Sequence, residues 1–165
     1  MASYRVVDLR GEIAPARSSW GNSSKGAGVI QHYNGGPVPA RAWNKPIQWI
    51  RFINDLHRQP GRFAPGWQIN GIAYCEWVIG NTVYRLRDFA ADLPHCGNLY
   101  YNRNAIGLHI PVGGSQRPQE AGKGTMLTAM RRADDHLRAM GLSRQHYKGH
   151  REVGPSACPG DPIME

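Results

Sequence analysis

An α/β fold, with helices packed on a mixed β-sheet, is what this sequence predicts, and three observations carry the prediction. Short apolar runs bounded by glycine and proline read as strands. Two longer stretches carry apolar residues at helical spacing. The two kinds follow one another in the order strand, helix, strands, helix. At 165 residues the chain is expected to form one domain over residues 1–165, because a single domain most often runs to roughly 100–150 residues and buries a real core at that size. No internal repeat or low-complexity segment interrupts it.

The first strand lies in "AGVIQHYNGG", Val29 to His32, and runs into an Asn-Gly-Gly turn that leaves His32 at its C-terminal end. Between Pro46 and Leu56, Trp49, Phe52, Ile53 and Leu56 recur at helical spacing, and Pro46 suits a first turn, so this stretch is a core-facing helix. "IAYCEWVIG" and "TVYRLRD" are two strands joined by a hairpin at Gly80-Asn81, and "NAIGLHIPVGG" is a further strand ending in glycines. From Thr125, a candidate N-cap, the residues Met126, Ala129, Met130, Ala133, Leu137 and Met140 mark the core face of a long helix that Gly141 can end.

The formal net charge of +8 suits an acidic partner, whether nucleic acid, an anionic membrane surface or an anionic cell-wall polymer. No basic stripe with interleaved aromatics is present, which counts against nucleic acid. Cys75, Cys96 and Cys158 are an odd number in a chain long enough not to need stapling, so no disulfide framework is expected. Asp8 and Glu12 stand where a signal peptide would need an apolar core, and no apolar run is long enough to span a bilayer. A protein without an export signal and without membrane insertion is expected.

"GHREVGPSACPG" places His150 and Cys158 eight positions apart, with glycine and proline between them. Zinc favours imidazole nitrogen and thiolate sulfur, and a hydrolytic zinc keeps three protein ligands and an open position. Pro155 and Pro159 stiffen the segment and Gly154 lets it bend, so both side chains can reach one point. As a lone pair they read rather as an exposed loop with an incidental histidine and a buried cysteine, because the spacing matches no compact zinc-finger pattern; a third ligand must come from elsewhere.

"GHREVGPSACPG" resembles the C-terminal signature of the type 2 N-acetylmuramoyl-L-alanine amidases, zinc hydrolases of the superfamily that includes the peptidoglycan recognition proteins and bacteriophage T7 lysozyme. "VIQHYNGG" resembles the strand that ends in a zinc-binding histidine in that family, and "PHCGNLYYNRNAIGLHIPVGG" is similar to its His-small-Gly, Asn, Ile-Gly-aliphatic segment. The resemblance runs from Gly28 to Gly160, in the right order. It implies that His32, His150 and Cys158 hold Zn²⁺, that the fold is a mixed sheet flanked by helices, and that the substrate is peptidoglycan, cut at the amide between N-acetylmuramic acid and L-alanine. Two neutral imidazoles and one thiolate leave Zn²⁺ with net positive charge, which suits hydrolysis.

Where the family often carries Tyr-His-Phe before the hairpin, this chain has "AYCEWVIG". Counting from Ile72-Ala73 puts Tyr74 in the tyrosine's place near the metal, whereas counting back from Val78-Ile79-Gly80 puts Cys75 there and Glu76 next. By period two Tyr74 and Glu76 share a face, and a carboxylate near the metal is a natural general base; equally, Glu76 is a rim carboxylate paired with an arginine such as Arg85. Ser156 stands where relatives often have lysine or threonine, and either donates a hydrogen bond to the developing oxyanion or caps the local turn. His95 falls in the His-small-Gly segment and is expected to touch substrate, not zinc. His57 and His136 are expected to be solvated, His109 to be a hydrogen-bonded sheet residue, and His146 to be structural.

The resemblance, with the absence of an export signal and a chain that ends five residues after Gly160, fits a phage endolysin or one catalytic module of a longer one. Such a protein is made in the host cytoplasm and acts on the bacterial cell wall, and a monomer is expected. A non-catalytic peptidoglycan-binding protein of the same fold is the alternative, and Cys158 counts against it.

Overall fold

The computed structural model describes residues 4–13, 25–59, 71–91 and 93–164. Six strands form one sheet: β1 (Arg5–Asp8), β2 (Gly28–Asn34), β3 (Glu76–Ile79), β4 (Thr82–Arg85), β5 (Ala105–Gly113) and β6 (Tyr147–Gly149). Their order across the sheet is β1-β4-β3-β5-β2-β6. The β3–β4 hairpin is antiparallel and the other pairings are parallel, so the sheet is mixed, as the sequence predicts. Helices flank it: α1 (Arg41–Asn44), α2 (Pro46–His57), α3 (Leu99–Asn104), α4 (Thr125–Ala139) and α5 (Asp161–Met164). Among the described residues no helix is long and apolar enough to cross a membrane.

The sheet separates two apolar layers. On the α4 side, Val29, Val78, Val83, Leu108, Ile110 and Val112 pack with Ala129, Ala133 and Leu137. On the α2 side, Ile50 packs with Ile72, Trp77, Ile79, Tyr84 and Leu86. β2 starts one residue before and ends two residues after the predicted strand, and β1, which the sequence does not predict, is four residues long and largely exposed, with Val6 47% exposed.

Both long helices form where the periodicity predicts and turn most of the predicted face inward, with Trp49 and Ile53 of α2 and Met126, Ala129, Ala133 and Leu137 of α4 packed on the core, but the buried positions also include polar residues. In α2 the buried residues are Ile50 and Asn54, while Phe52 is exposed. Asn54 is inside because its Oδ1 accepts from the Ile72 N–H and from Arg87 Nη2. In α4 the buried face carries Thr125, Thr128 and His136 beside Ala129, Ala133 and Leu137, and Met130 is exposed. Polar residues with internal partners belong to these faces, and counting apolar residues passes over them. Thr125 is not the N-cap; that is Gly124, and the Thr125 hydroxyl donates to the Gly122 carbonyl and accepts from the Gly80 N–H, tying α4 to the hairpin turn. Gly141, at φ +68°, takes the left-handed conformation that follows the helix end.

Candidate metal centre

Adjacent strand ends bring the donors together. β2 and β6 are parallel neighbours with Gln31 opposite Gly149. The residues that follow these two, His32 and His150, therefore emerge side by side at the C-terminal ends of parallel strands, where α/β sheets commonly bind ligands. Beyond a short 3-10 turn, His150–Glu152, the chain folds back and the Arg151 N–H donates to the Cys158 carbonyl at 2.5 Å. Gly154 permits the return, since a Cβ there would stand 2.9 Å from the Cys96 carbonyl oxygen. As a result one nitrogen of His32, one of His150 and the sulfur of Cys158 lie within 4.8 Å of one another.

The chemistry of this donor set fits a zinc ion. Nδ1 of His32 is 3.7 Å from Cys158 Sγ. His150 Nε2 is 2.8 Å from the Cys96 carbonyl oxygen; a carbonyl only accepts, so Nε2 carries the hydrogen and Nδ1 keeps its lone pair. Burial, reinforced by the neighbouring His95, His150 and His109, drives His32 well below the ordinary imidazole value, and burial also lowers His150. Both rings are thus neutral at neutral pH, as metal ligands must be. Burial pushes the Cys158 thiol up to about 11, against a smaller opposing effect of the Tyr33 N–H that it accepts at 3.2 Å. A metal ion held there would supply the positive charge that this sulfur needs to ionise.

His150, of the three, lines a groove with a cavity of about 630 Å³, with His32 buried behind it. Tyr33, Tyr74, Trp77, His109, Pro155 and Ser156 are among its walls, and no Asp, Glu, Lys or Arg lines it among the described residues. The Tyr74 ring lies 4.9 Å from the His32 ring and stacks on His109 at 4.5 Å. Desolvation, and to a lesser extent Cys158, raise the Tyr74 phenol, which therefore holds its proton at neutral pH. Ser156 Oγ accepts the Cys158 N–H at 3.1 Å, which is the turn-capping role, and its own O–H remains a donor. His95 reaches the groove but is buried against the back of His32, its Nδ1 2.9 Å from His32 Nε2.

Glu76 is not at this site. In register Glu76 lies opposite Leu108, on the α4 face, and Trp77 opposite His109, on the groove face. Its carboxylate, fully buried, accepts from Arg132 Nη2 at 2.5 Å, from Arg132 Nε at 2.8 Å and from His136 Nε2 at 2.8 Å. The general-base expectation is corrected on that ground, and so is Arg85 as the partner, whose guanidinium lies over Phe89 at 4.2 Å. The period-two inference failed because the alternation slips at Cys75. Cys75 packs in the α4-side core and the Glu76 carboxylate bonds Arg132 of α4, while Tyr74 faces the groove, so two consecutive residues share a face. The partner strand is irregular at the same level: the Leu86 and Arg87 N–H both donate to the Cys75 carbonyl, a β-bulge whose extra residue lies on the Leu86–Arg87 side. Of the two ways of counting this strand, the one that puts Tyr74 beside the donor group matches the structure, and the one that puts Cys75 there does not.

His136 is also corrected: it is buried, not solvated, and bonded to Glu76. His57 is half-buried and lines the groove's far end with Ile53. His109 is buried between Tyr74 and Trp77 in the groove wall, outside the donor group; its Nδ1 has no hydrogen-bond partner among the described residues. Its signal in the sequence was its place on the same face and register as His32 on the adjacent strand, which no single-strand reading contains.

No protein-family model matches the sequence, and no curated protein matches it. Solved structures do match. Wild-type Drosophila PGRP-LB superposes with a TM-score of 0.72 at 18% identity, over 96% of this chain and 89% of that one. An endolysin N-acetylmuramoyl-L-alanine amidase, LysCS from Clostridium intestinale, gives 0.65 at 17% identity, over 98% and 90%. This is the fold of the peptidoglycan recognition proteins and the N-acetylmuramoyl-L-alanine amidases. A further match with this amidase and recognition-protein fold is peptidoglycan recognition protein LE in complex with tracheal cytotoxin, a monomeric diaminopimelic acid-type peptidoglycan, with a TM-score of 0.66 at 17% identity over 94% and 87% of the two chains.

Proposed function

We propose that the protein is a zinc-dependent N-acetylmuramoyl-L-alanine amidase that hydrolyses the amide between N-acetylmuramic acid and L-alanine in peptidoglycan. The observation that carries this reading is the convergence of His32, His150 and Cys158 on one point at the mouth of a groove with Tyr74 beside it. Zinc held there would polarise a carbonyl and acidify water. Tyr74, protonated at neutral pH, donates a hydrogen bond to the oxygen on which charge develops, and the Ser156 hydroxyl is a second, uncharged donor. The apolar and imidazole walls bind the stem peptide, and the absence of groove carboxylates among the described residues avoids repulsion of its carboxylates. A net charge of +8 favours approach to acidic wall polymers, consistent with an endolysin acting on the bacterial wall.

Mass analysis of digested peptidoglycan tests the reading, together with metal analysis of the purified protein. Near-stoichiometric zinc and free stem peptides with an L-alanine N-terminus are expected. New reducing ends without new N-terminal alanine would mean a glycosidase. Retention on peptidoglycan with no released peptide would mean a binding protein of the same fold.

A further inference from the structure

We propose that His95 is a positioning residue: it holds His32 in the one tautomer that can bind a metal, and Gly107 is what lets it do so. The inference rests on the donor set of His32, His150 and Cys158 and is independent of the reaction assigned to it.

His32 Nε2 and His95 Nδ1 are 2.9 Å apart, with the rings edge-on at 87°, and both residues are buried. One of these two nitrogens donates and the other accepts. If His95 donated, the hydrogen of a neutral His32 would sit on Nδ1, the nitrogen 3.7 Å from Cys158 Sγ, and block it as a ligand. When His32 donates from Nε2, Nδ1 is bare and the donor set is complete. Metal binding therefore selects the arrangement in which His95 Nδ1 accepts, and its own hydrogen lies on Nε2. Outer partners of this kind orient a ligand imidazole and raise its basicity.

The backbone around His95 is built to keep it there. The next residue, Cys96, accepts from the other ligand imidazole through its carbonyl, so consecutive residues brace both histidines of the donor set. Asn102 Oδ1 accepts the Cys96 N–H at 2.9 Å, and the Asn98 side chain caps α3 while its Nδ2 donates to the Val153 carbonyl at 3.0 Å, pinning the turn that carries His150. Gly107 lies beneath the His95 ring: a Cβ there would meet Cγ and Nδ1 at 3.2 Å, close enough to press the ring from its place by a few tenths of an ångström.

Zinc affinity, measured by competition with a chelator of known affinity, tests the proposal without reference to hydrolysis. His95→Ala is expected to weaken zinc by about 10–100-fold, the usual effect of losing an outer partner. His95→Asn places an amide oxygen near the lost Nδ1 and is expected to recover most of that loss, a rescue that a merely space-filling role would not show. Gly107→Ala is expected to weaken zinc in the wild-type background but add little to His95→Ala, because both act through one contact. Wild-type affinity in His95→Ala, equal weakness in His95→Ala and His95→Asn, or full additivity with Gly107→Ala would each overturn it. Zinc bound as expected but no stem peptide released would defeat the amidase reading and leave this one standing.

Discussion

Buried imidazoles occupy both faces of the sheet, and they are satisfied in opposite ways. On the α4 face, His136 and Arg132 share the carboxylate of Glu76, and Arg132 Nη1 also donates to the Tyr4 hydroxyl, which in turn bonds Asp135. Every charge there has a partner of opposite sign. On the groove face, His32, His95, His109 and His150 gather with a half-buried thiol and no carboxylate among the described groove walls. A histidine cluster closed by its own carboxylate is a structural pin; one left without a counter-charge, with a thiol beside it, is suited to a cation. The same residue types thus read as stability on one face and as chemistry on the other, and counter-charge is what separates them.

The sharpest way to break this contrast is Cys158→Ser, expected to abolish stoichiometric zinc and with it activity, read by metal analysis and peptide release. Zinc retained at full occupancy would remove the groove face from consideration. On the opposite face Glu76→Gln leaves Arg132 and His136 without their anion, and breaking a buried pair costs about 3–5 kcal/mol. For a chain of this size that is on the order of 10 °C in the thermal midpoint, by calorimetry, with zinc affinity unchanged at temperatures where the variant is folded. A variant that keeps its stability but loses turnover would return Glu76 to the site. Tyr74→Phe is expected to lower turnover by roughly 10²–10³-fold, the range for losing one preorganised donor, with zinc retained.

The last test is of pH. Burial pushes His95 and His109 down to about 3, so between the ordinary 6.5 and that value the unfolded chain binds more protons and stability of the metal-free protein falls with acid. For Glu76, burial alone would raise the pKa, but the hydrogen bonds from Arg132 and His136 outweigh it and hold it below 4.5. Its stabilisation is complete above 4.5 and is lost as pH falls through the lower folded value. Denaturant titrations across this range should show a decline beginning near 6.5 in wild type, and in Glu76→Gln the same early decline with a shallower slope below 4.5. A wild-type curve flat from 7 to 5 would contradict the groove-face half of the comparison.

Much of this was legible from residues alone. Glycine and proline punctuation and apolar spacing located β2, the hairpin, β5, α2 and α4, because strand and helix periods are properties of a local chain. The three donor residues were legible because their types are rare together and their flanking segments carry a recognisable order. Which of Tyr74, Cys75 and Glu76 faces the groove was decided only by the fold. A slip of one residue, which turns both Cys75 and Glu76 toward α4, leaves no mark on the sequence of that strand. The same holds for Asn54 and His136, buried because residues 18 and 60 positions away in the chain complete their hydrogen bonds, and for His95, whose partner is 63 positions away. Local periodicity reports how a chain can alternate; burial of a polar group depends on what folding brings to it, and that is settled only when the sheet has closed.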